Sequence, residues 1–385
     1  MPAPLAADHT AESAMAPGTA RGSHFPALDG LRGLAALLVL FVHLPERIGL
    51  DVAARQRSWL FRFSLAGDMG VDLFFVLSGF LITTILLENV QRPFGLRTFW
   101  VRRALRIFPL YYLYLAVLLL AVNLTPWFAH EQVPGRWSTW LGYWLFLSNF
   151  TLLLSGRSAL EFIVPWSLAV EEQFYALWPL LVRRHGRREL MKLSLAMLLL
   201  APLLRLVTAL VSPELDVFYL LPFCRADALF AGAALALARR DATLSAAVDR
   251  ISRFALYPAL ALLLFLLQQP TYHDETKGPL WVTVYYSALA LSWAVVVWSA
   301  LEPSRLGRLL LENRPLTYVG RISYGLYLWH PLALRLVERA NRGWGLGTAP
   351  LLVTHVAVSL LVATLSFTLF ERPILNFKER FRYGT

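Results

Sequence analysis

Long apolar runs, separated by short polar and basic stretches, make up most of the chain. The runs hold about 15–23 residues, which is close to the length that an α-helix needs to cross the hydrocarbon core of a bilayer. They are too long for strands and too apolar for the surface helices of soluble proteins. Eleven can be delimited: 28–45, 69–90, 105–124, 137–154, 162–182, 190–211, 217–238, 254–269, 280–301, 315–337 and 349–371. The pattern predicts an all-α polytopic membrane protein.

The basic residues between the runs predict how the helices cross the membrane. Loops that stay in the cytoplasm are enriched in Lys and Arg. If 137–154 and 162–182 both crossed, the basic stretch 183–188 would face outside, so we count 137–182 as one net crossing. The later basic loops then face the cytoplasm, although several arginines remain in the first external loop. We predict about ten transmembrane helices plus one re-entrant or interfacial segment, either 137–154 or 162–182, with both termini cytoplasmic.

Composition agrees with this fold class. Of 385 residues, 57% are hydrophobic and 16% are charged, and the mean hydropathy is +0.54. Soluble domains are about 45–50% apolar and about 25% charged. The net charge of +11 lies in the short loops without a nucleic-acid-binding motif, so the expected partner is the lipid bilayer and no nucleic acid. The single cysteine, Cys224, excludes an intrachain disulfide and a CxxC site, and we expect no metal.

Composition also divides the chain into three regions. Residues 1–24 are rich in Ala, Pro, Ser and Thr, which predicts a disordered N-terminal tail. Residues 25–373 form the transmembrane domain. Residues 374–385 form a short basic cytoplasmic tail.

Two histidines, His43 and His330, lie inside apolar runs, where a bilayer penalises ionisable side chains by several kcal/mol. Arg32 precedes His43 by eleven positions, and eleven steps of about 100° return a helix to within roughly 20° of its starting face. Arg32 and His43 therefore share one stripe, roughly 16 Å apart along the axis. The stripe predicts a cation near one membrane surface with an imidazole deeper in the bilayer.

The helix that carries His330 offers further polar groups. Ser323, Tyr327 and His330 fall at i, i+4 and i+7 and share one face. Pro331 lacks an N–H, so it leaves the Tyr327 carbonyl without its helical partner and kinks the helix. We interpret this face as lining a cavity, with a purely structural histidine as the alternative.

Carboxylates inside the apolar runs form a second group of candidates. Asp72 follows Gly70 in a run that also contains Ser78, and it could pair with an arginine or a histidine of another helix. Glu171 and Glu172 are adjacent in an aromatic segment, where either could orient an imidazole or bind a substrate hydroxyl. The candidate cavity residues on the face of Glu171 are Ser167 and Tyr175.

A cluster of arginines opens the third run. Arg102 and Arg103 lie four and three residues before Arg106, so the three cations crowd one face and suit an anion. We interpret them as binding the phosphates of a cytoplasmic nucleotide-bearing donor; anchoring by the positive-inside rule is the alternative. Arg225 and Asp227 predict a mutually neutralising structural pair.

Five stretches in this order resemble the membrane-bound acyltransferase family 3 over residues 25–373. They are LDGLRGLAALLVLFVHL, MGVDLFFVLSGFLI, RRALRIFPLYY, WSLAVEEQFY and ISYGLYLWHP. The resemblance implies transfer of an acyl group, usually acetyl, from cytoplasmic acyl-CoA as co-substrate to a hydroxyl of an extracytoplasmic glycan or lipid-linked acceptor. The family's Arg-x10-His motif falls on Arg32 and His43. Its paired arginines fall on Arg102, Arg103 and Arg106, and its glutamate falls on Glu171, or less securely on Glu172.

Many members of this family carry an additional periplasmic hydrolase-like domain. The sequence ends at Thr385, so we expect a stand-alone O-acetyltransferase type in the bacterial inner membrane, with a possible separate periplasmic partner. The acceptor stays open among O-antigen of lipopolysaccharide, peptidoglycan, another cell-surface polysaccharide, a lipid and a small product.

Residue chemistry and resemblance lead to the same mechanism. His43 is the expected general base, and Ser323, Tyr327 or freed backbone are the expected oxyanion donors. A covalent acyl-enzyme on His43 is an alternative. A proton-coupled transporter or flippase would use His43, Asp72 and Glu171 as a relay, and a non-catalytic scaffold is the third hypothesis.

Overall fold

The computed structural model describes residues 25–48, 69–129, 133–134, 137–155, 159–212, 217–269, 278–378, 380–381 and 383. The predicted tail 1–24 lies outside these ranges. The helices, in chain order, are α1 Pro26–Arg47, α2 Met69–Asn89, α3 Gly95–Leu124, α4 Trp137–Trp144, α5 Ser148–Ser155, α6 Leu160–Ile163, α7 Pro165–Arg184, α8 Arg187–Val211, α9 Val217–Leu220, α10 Ala226–Ala238, α11 Ala242–Leu266, α12 Pro279–Ser299, α13 Arg305–Leu311, α14 Arg314–Trp344, α15 Thr348–Ser366 and α16 Arg372–Lys378. A π-helical turn, Phe367–Glu371, joins the last two.

Every apolar run predicted from the sequence lies in helical segments, and the chain is a polytopic membrane protein. Among the described residues, six helical stretches are long and apolar enough to cross a bilayer. They are Pro26–Pro45, Met69–Asn89, Gly95–Leu124, Arg187–Val211, Pro279–Ser299 and Thr348–Lys378.

The segment 137–155 is a pair of short helices. α4 and α5 have eight residues each, so each is about 12 Å long, against a hydrocarbon core of about 30 Å. Between them Phe146 adopts φ 56°, and its ring stacks on Tyr111 with the ring centroids 4.3 Å apart. The 20 residues of α7, by contrast, extend about 30 Å. Neither short helix alone is long enough to span.

Cross-helix contacts give the relative directions of the helices. α2 and α7 run parallel, because Ser78 bonds Glu171 and the later Thr83 bonds the later Trp178. α1 and α14 also run parallel; their contacts are Arg32–Ser323 and Arg47–Glu338. These directions are those expected when 137–182 makes one net crossing.

Glycines let α2 and α10 approach until their backbones touch. A Cβ at Gly79 would lie 1.9 Å from the Leu229 carbonyl oxygen, and a Cβ at Gly232 would lie 2.0 Å from that of Val76. No side chain can occupy either position without separating the helices, which is why small residues suit close helix crossings in membranes.

α14 carries most of the candidate cavity face and is the longest helix described, with 31 residues. Asn313 caps its start by accepting the Leu316 N–H, and Gly345 ends it in the left-handed region at φ 64°. It packs between α1 and α15, so its polar face is enclosed by neighbouring helices.

Candidate active site

The parallel packing of α1 on α14 brings the two predicted histidines together. The rings of His43 and His330 stack with centroids 5.4 Å apart and planes inclined by 20°. Toward the start of the same two helices, Arg32 Nη2 lies 3.4 Å from Ser323 Oγ. The predicted Arg32–His43 stripe is therefore matched by a Ser323–His330 stripe on the facing helix.

The carbonyl that Pro331 leaves free determines which nitrogen of His330 carries the proton. His330 Nδ1 lies 2.8 Å from the Tyr327 carbonyl oxygen, which Pro331 leaves without its helical donor. A carbonyl only accepts, so we assign the proton to Nδ1 and the lone pair to Nε2. Nε2 is buried and has no hydrogen-bond partner among the described residues. His330 thus has one ring nitrogen engaged by the backbone and one buried nitrogen without a partner among the described residues, and its ring stacks on His43.

A cavity of about 470 Å³ lies between α1, α2, α3, α7 and α14. Its lining includes most of the predicted site residues: Arg32, Ser78, Arg102, Arg103, Arg106, Ser167, Glu171, Tyr175, Ser323 and Tyr327. The lining does not include His43, His330, Asp72 or Glu172. The ring of Tyr327 lines the cavity and lies 6.1 Å from the ring of His330, so one aromatic ring separates the cavity from the histidine pair.

Glu171 accepts two hydrogen bonds at the cavity wall. Ser78 Oγ donates to Glu171 Oε1 at 2.8 Å, and the Tyr175 hydroxyl donates to Oε2 at 2.8 Å. The guanidinium of Arg103 lies 5.4 Å from the centroid of the Tyr175 ring. The carboxylate is therefore fixed in orientation beside the arginine cluster. Glu172 points elsewhere, and its buried Oε1 has no hydrogen-bond partner among the described residues.

The hydrogen bonds of Tyr327 correct one expectation about oxyanion donors. Its hydroxyl donates to the Val164 carbonyl at 2.9 Å and accepts from Ser167. Its own carbonyl is bonded by His330. Neither group is available in this conformation, because each is engaged in a protein contact. Ser323 Oγ accepts from Arg32, which leaves the serine O–H as the donor.

The arginine cluster faces the cavity, but its members differ in their contacts. Arg102 Nη1 donates to the carbonyls of Phe381 at 2.6 Å and Lys378 at 3.3 Å. Arg103 lies over aromatic rings, and Arg106 lines the cavity one turn further along α3. Arg102 is thus bound to the C-terminal segment, which the sequence did not indicate.

Asp72 is held away from the cavity by an arginine. Arg225 Nη2 lies 2.8 Å from both oxygens of Asp72, and the guanidinium lies 3.9 Å from the Tyr286 ring centroid. The predicted Arg225–Asp227 pair is wrong, because Asp227 pairs instead with Arg205 at 2.6 Å. Residues two apart point to different sides of a helical segment. The contacts favour a structural role for Asp72 over the predicted catalytic one.

A buried ion pair on α6 and α14 was missed from the sequence. Arg335 Nε and Nη2 lie 2.7 and 2.9 Å from the two oxygens of Glu161, and Arg47 Nη2 lies 3.6 Å from Oε1. An arginine inside the apolar run 315–337 was the available signal, since such a charge needs a partner. Within the described ranges, no group of three or more His, Cys, Asp or Glu side chains is placed to bind a metal ion.

Comparison with known proteins agrees with the resemblance in the sequence. Residues 25–370 match the family described as the acyltransferase domain. The chain is 28% identical to the peptidoglycan O-acetyltransferase OatA of Listeria monocytogenes, covering 91% of this chain and 56% of that protein. It is 29% identical to the putative peptidoglycan O-acetyltransferase YrhL of Bacillus subtilis, covering 91% and 55%.

A third relative, the O-acetyltransferase OatA of Staphylococcus aureus, is 27% identical over 91% of this chain and 57% of its own. The chain thus spans a little over half the length of these relatives. No solved structure gives a significant match. Because the family match covers residues 25–370, the chain belongs to the membrane-bound acyltransferase family 3.

Proposed function

We propose that the protein is an integral membrane O-acyltransferase that moves an acyl group, acetyl in the first instance, from cytoplasmic acyl-CoA to a hydroxyl of an extracytoplasmic glycan. One observation carries the proposal. A cavity lined by arginines ends one aromatic ring away from a stacked pair of histidines, and both features share α1 and α14. This arrangement puts an anion-binding region and a proton acceptor on one path through the bundle.

The orientation of this path follows from the topology that we propose. The six apolar stretches, together with α7, α11, α14 and the segment 217–238 that contains α9 and α10, give ten crossings with both termini cytoplasmic. α4 and α5 then form the re-entrant or interfacial segment. The parallel directions of α1 with α14 and of α2 with α7 support this count. The arginine cluster then lies at the cytoplasmic side of what we propose is the bacterial inner membrane.

The donor would bind with its phosphates among the arginines. Arg32, Arg102, Arg103 and Arg106 all line the cavity. Guanidinium–phosphate contacts are among the strongest hydrogen bonds in proteins, and they orient the ligand as well as bind it. The long pantetheine arm would extend past Glu171 toward Tyr327, so the thioester would approach the histidines from the cytoplasmic side.

The chemistry then needs one proton acceptor and one oxyanion donor. His43 takes the proton of the acceptor hydroxyl while the oxygen attacks the thioester carbonyl carbon. The C–S bond breaks as the tetrahedral intermediate collapses, and the CoA thiolate leaves with the proton from the imidazolium. Ser323, beside Arg32, lies seven residues before His330 and so about 10 Å from it along α14; we propose that its O–H contacts the donor arm, and that the oxyanion donor lies nearer His43. Stacking on His330 holds the His43 ring in place.

Tyr327 lies between the donor cavity and the histidines, and we propose that it moves during the reaction. Its hydroxyl is held by Val164 and Ser167, and its ring lies 6.1 Å from that of His330. Among the described residues, no other member of the cavity lining has a ring contact with His330. A thioester in the cavity would therefore reach His43 only after this ring rotates.

The acceptor that we propose to test first is a peptidoglycan glycan, since two of the relatives are named for peptidoglycan. The chain covers 56% of the Listeria relative. The test is therefore also run with an extracytoplasmic partner protein added, in case the acyl group passes to the glycan through such a partner. Other surface glycans, lipopolysaccharide among them, are the next acceptors to test.

The test uses purified full-length protein in proteoliposomes. Radiolabelled acetyl-CoA is added outside, and peptidoglycan fragments are enclosed in the lumen. We expect acetyl label on the enclosed glycan and free CoA outside, in equal amounts. Movement of the glycan without acetyl-CoA, following a proton gradient, would instead establish a transporter. No CoA binding and no labelled product with any glycan would contradict the proposal.

A further inference from the structure

Three described residues at the C-terminal end of the chain, Lys378, Phe381 and Tyr383, lie beside the arginine-lined cavity; we call them the C-terminal segment. Lys378 and Tyr383 are both part of the cavity lining. Arg102 ties the segment to α3 by donating to the carbonyls of Lys378 and Phe381, and its guanidinium lies 5.9 Å from the centroid of the Tyr383 ring. The mouth is thus formed by α3 on one side and by the C-terminal segment on the other.

This mouth has an excess of positive charge. The acidic side chains in the lining are Glu88 and Glu171, and both have partners: Glu88 is paired with Arg240, and Glu171 accepts from Ser78 and Tyr175. Lys378 adds an ammonium to the arginine cluster at the same opening. Among the described residues of the lining, basic side chains outnumber acidic ones, which suits a ligand that carries several phosphates.

Tyr383 supplies an aromatic surface beside these cations. Burial raises the pKa of its phenol, and the nearby Arg102 and Arg103 oppose that shift only in part, so the ring stays uncharged at neutral pH. Purine bases stack on tyrosine rings and on arginine planes, at about 1–3 kcal/mol for each base. A half-buried tyrosine next to a lysine and an arginine cluster is therefore suited to a nucleotide.

We infer that Lys378 and Tyr383 belong to the donor site and bind the nucleotide half of CoA, with Lys378 at its phosphates and Tyr383 stacked on its adenine. This inference rests on the proposed function and deepens it, because it assigns the nucleotide end of the donor to the C-terminal segment. The thioester end would then lie at Tyr327, at the opposite end of the cavity. Discrimination between CoA and shorter thioesters would be made at the mouth.

The test compares a donor with and without its nucleotide. Specificity constants are measured for acetyl-CoA and for acetyl-pantetheine, which ends before the nucleotide, with the full-length protein in nanodiscs. We expect Lys378→Ala and Tyr383→Ala each to lower kcat/KM for acetyl-CoA by about tenfold, as the loss of one charged or stacking contact predicts. The value for acetyl-pantetheine should stay as in the wild type.

Two control variants make the result specific. Arg380→Ala removes a neighbouring cation whose contact is the ring of Phe377 and which is not in the cavity lining, so it should leave both donors unaffected. Tyr383→Phe keeps the ring and should keep the wild-type preference. Unchanged acetyl-CoA values in both alanine variants, or equal losses with both donors, would overturn the inference. A wild-type protein that uses neither donor and binds no CoA would instead overturn the proposed function.

Discussion

Two buried polar regions of the molecule contain comparable charged groups but differ in how those groups are satisfied. In the first, Arg225 pairs with Asp72 and Arg205 pairs with Asp227, and the guanidinium of Arg225 faces Tyr286. In the second, Arg32 and His43 on α1 face Ser323 and His330 on α14. Arg32 lines a cavity, and His330 Nε2 has no hydrogen-bond partner among the described residues. A buried charge in a membrane helix therefore does not by itself mark a catalytic site. Both regions contain buried nitrogens without a hydrogen-bond partner among the described residues, Arg225 Nε and Nη1 in the first and His330 Nε2 in the second. What distinguishes the second region is that Arg32 lines a cavity, whereas Arg225 and Arg205 bond carboxylates.

The largest expected effect is on catalysis at the polar faces that α1 and α14 turn toward each other, Arg32 and His43 with Ser323 and His330, which we call the open stripe. His43→Ala should lower acetyl transfer by about 10²–10⁴-fold, the usual contribution of a general base. His43→Phe keeps a ring against His330 and should be equally inactive, with a melting temperature close to that of the wild type. Radiolabelled transfer and thermal unfolding in detergent measure the two quantities. An active His43→Phe protein would rule out this base.

The next effect, of comparable free energy, is on protein stability. It concerns the two buried ion pairs, Arg225–Asp72 and Arg205–Asp227, which we call the closed cluster. Arg225→Leu removes the two hydrogen bonds that the guanidinium donates to the buried Asp72 carboxylate and should destabilise the protein by about 3–5 kcal/mol. Replacing both residues, Asp72→Leu with Arg225→Leu, also removes the buried carboxylate and should recover most of that loss. Yield of monodisperse protein and its melting temperature report the difference. A double variant as unstable as the single one would show that the pair contributes more than mutual neutralisation.

Donor affinity should depend on the arginines at the cavity. Each charge-assisted contact contributes about 1.5–3 kcal/mol, so Arg103→Ala with Arg106→Ala should raise the Kd of CoA by about 100-fold or more. Calorimetric titration of CoA measures this directly. Arg184→Ala, an exposed cation at the end of α7 that does not line the cavity, is the control and should bind CoA as the wild type does.

The smallest effect should come from the wall of the cavity. Glu171→Gln keeps the acceptor for Ser78 but loses the charge beside the arginines, so transfer should fall by about tenfold, as one charge-assisted contact predicts. Glu172→Gln changes the adjacent carboxylate, which is outside the cavity lining, and should change transfer little. Equal losses in the two variants would remove the distinction that the structure makes between these carboxylates.

Much of the fold, and part of the open stripe, could be predicted from the helical periodicity of the sequence. The helical repeat alone gives the Arg32–His43 stripe, and the missing N–H of Pro331 identifies the free Tyr327 carbonyl that His330 bonds. The apolar runs predict the helices. These inferences succeed because they depend on contacts within one helix or on the bilayer.

The ion pairs and the hydrogen bonds around the cavity depend on contacts between segments that are distant in the sequence. Arg225 bonds Asp72, 153 positions away, and not Asp227, because the choice is made by how α2 packs on α10. The engagement of the Tyr327 hydroxyl by Val164, and of Arg102 by the C-terminal segment, likewise arises only when the bundle closes. No pattern along a single helix contains that information.

We propose that the open stripe carries the chemistry while the closed cluster carries stability. The most direct measurement is acetyl transfer per mole of monodisperse protein for the wild type, His43→Ala and the double variant Asp72→Leu with Arg225→Leu. We predict that His43→Ala loses about 10²-fold or more while the double variant stays within a few-fold of the wild type. The reverse result, in which His43→Ala transfers acetyl normally and the folded double variant does not, would contradict this division of roles.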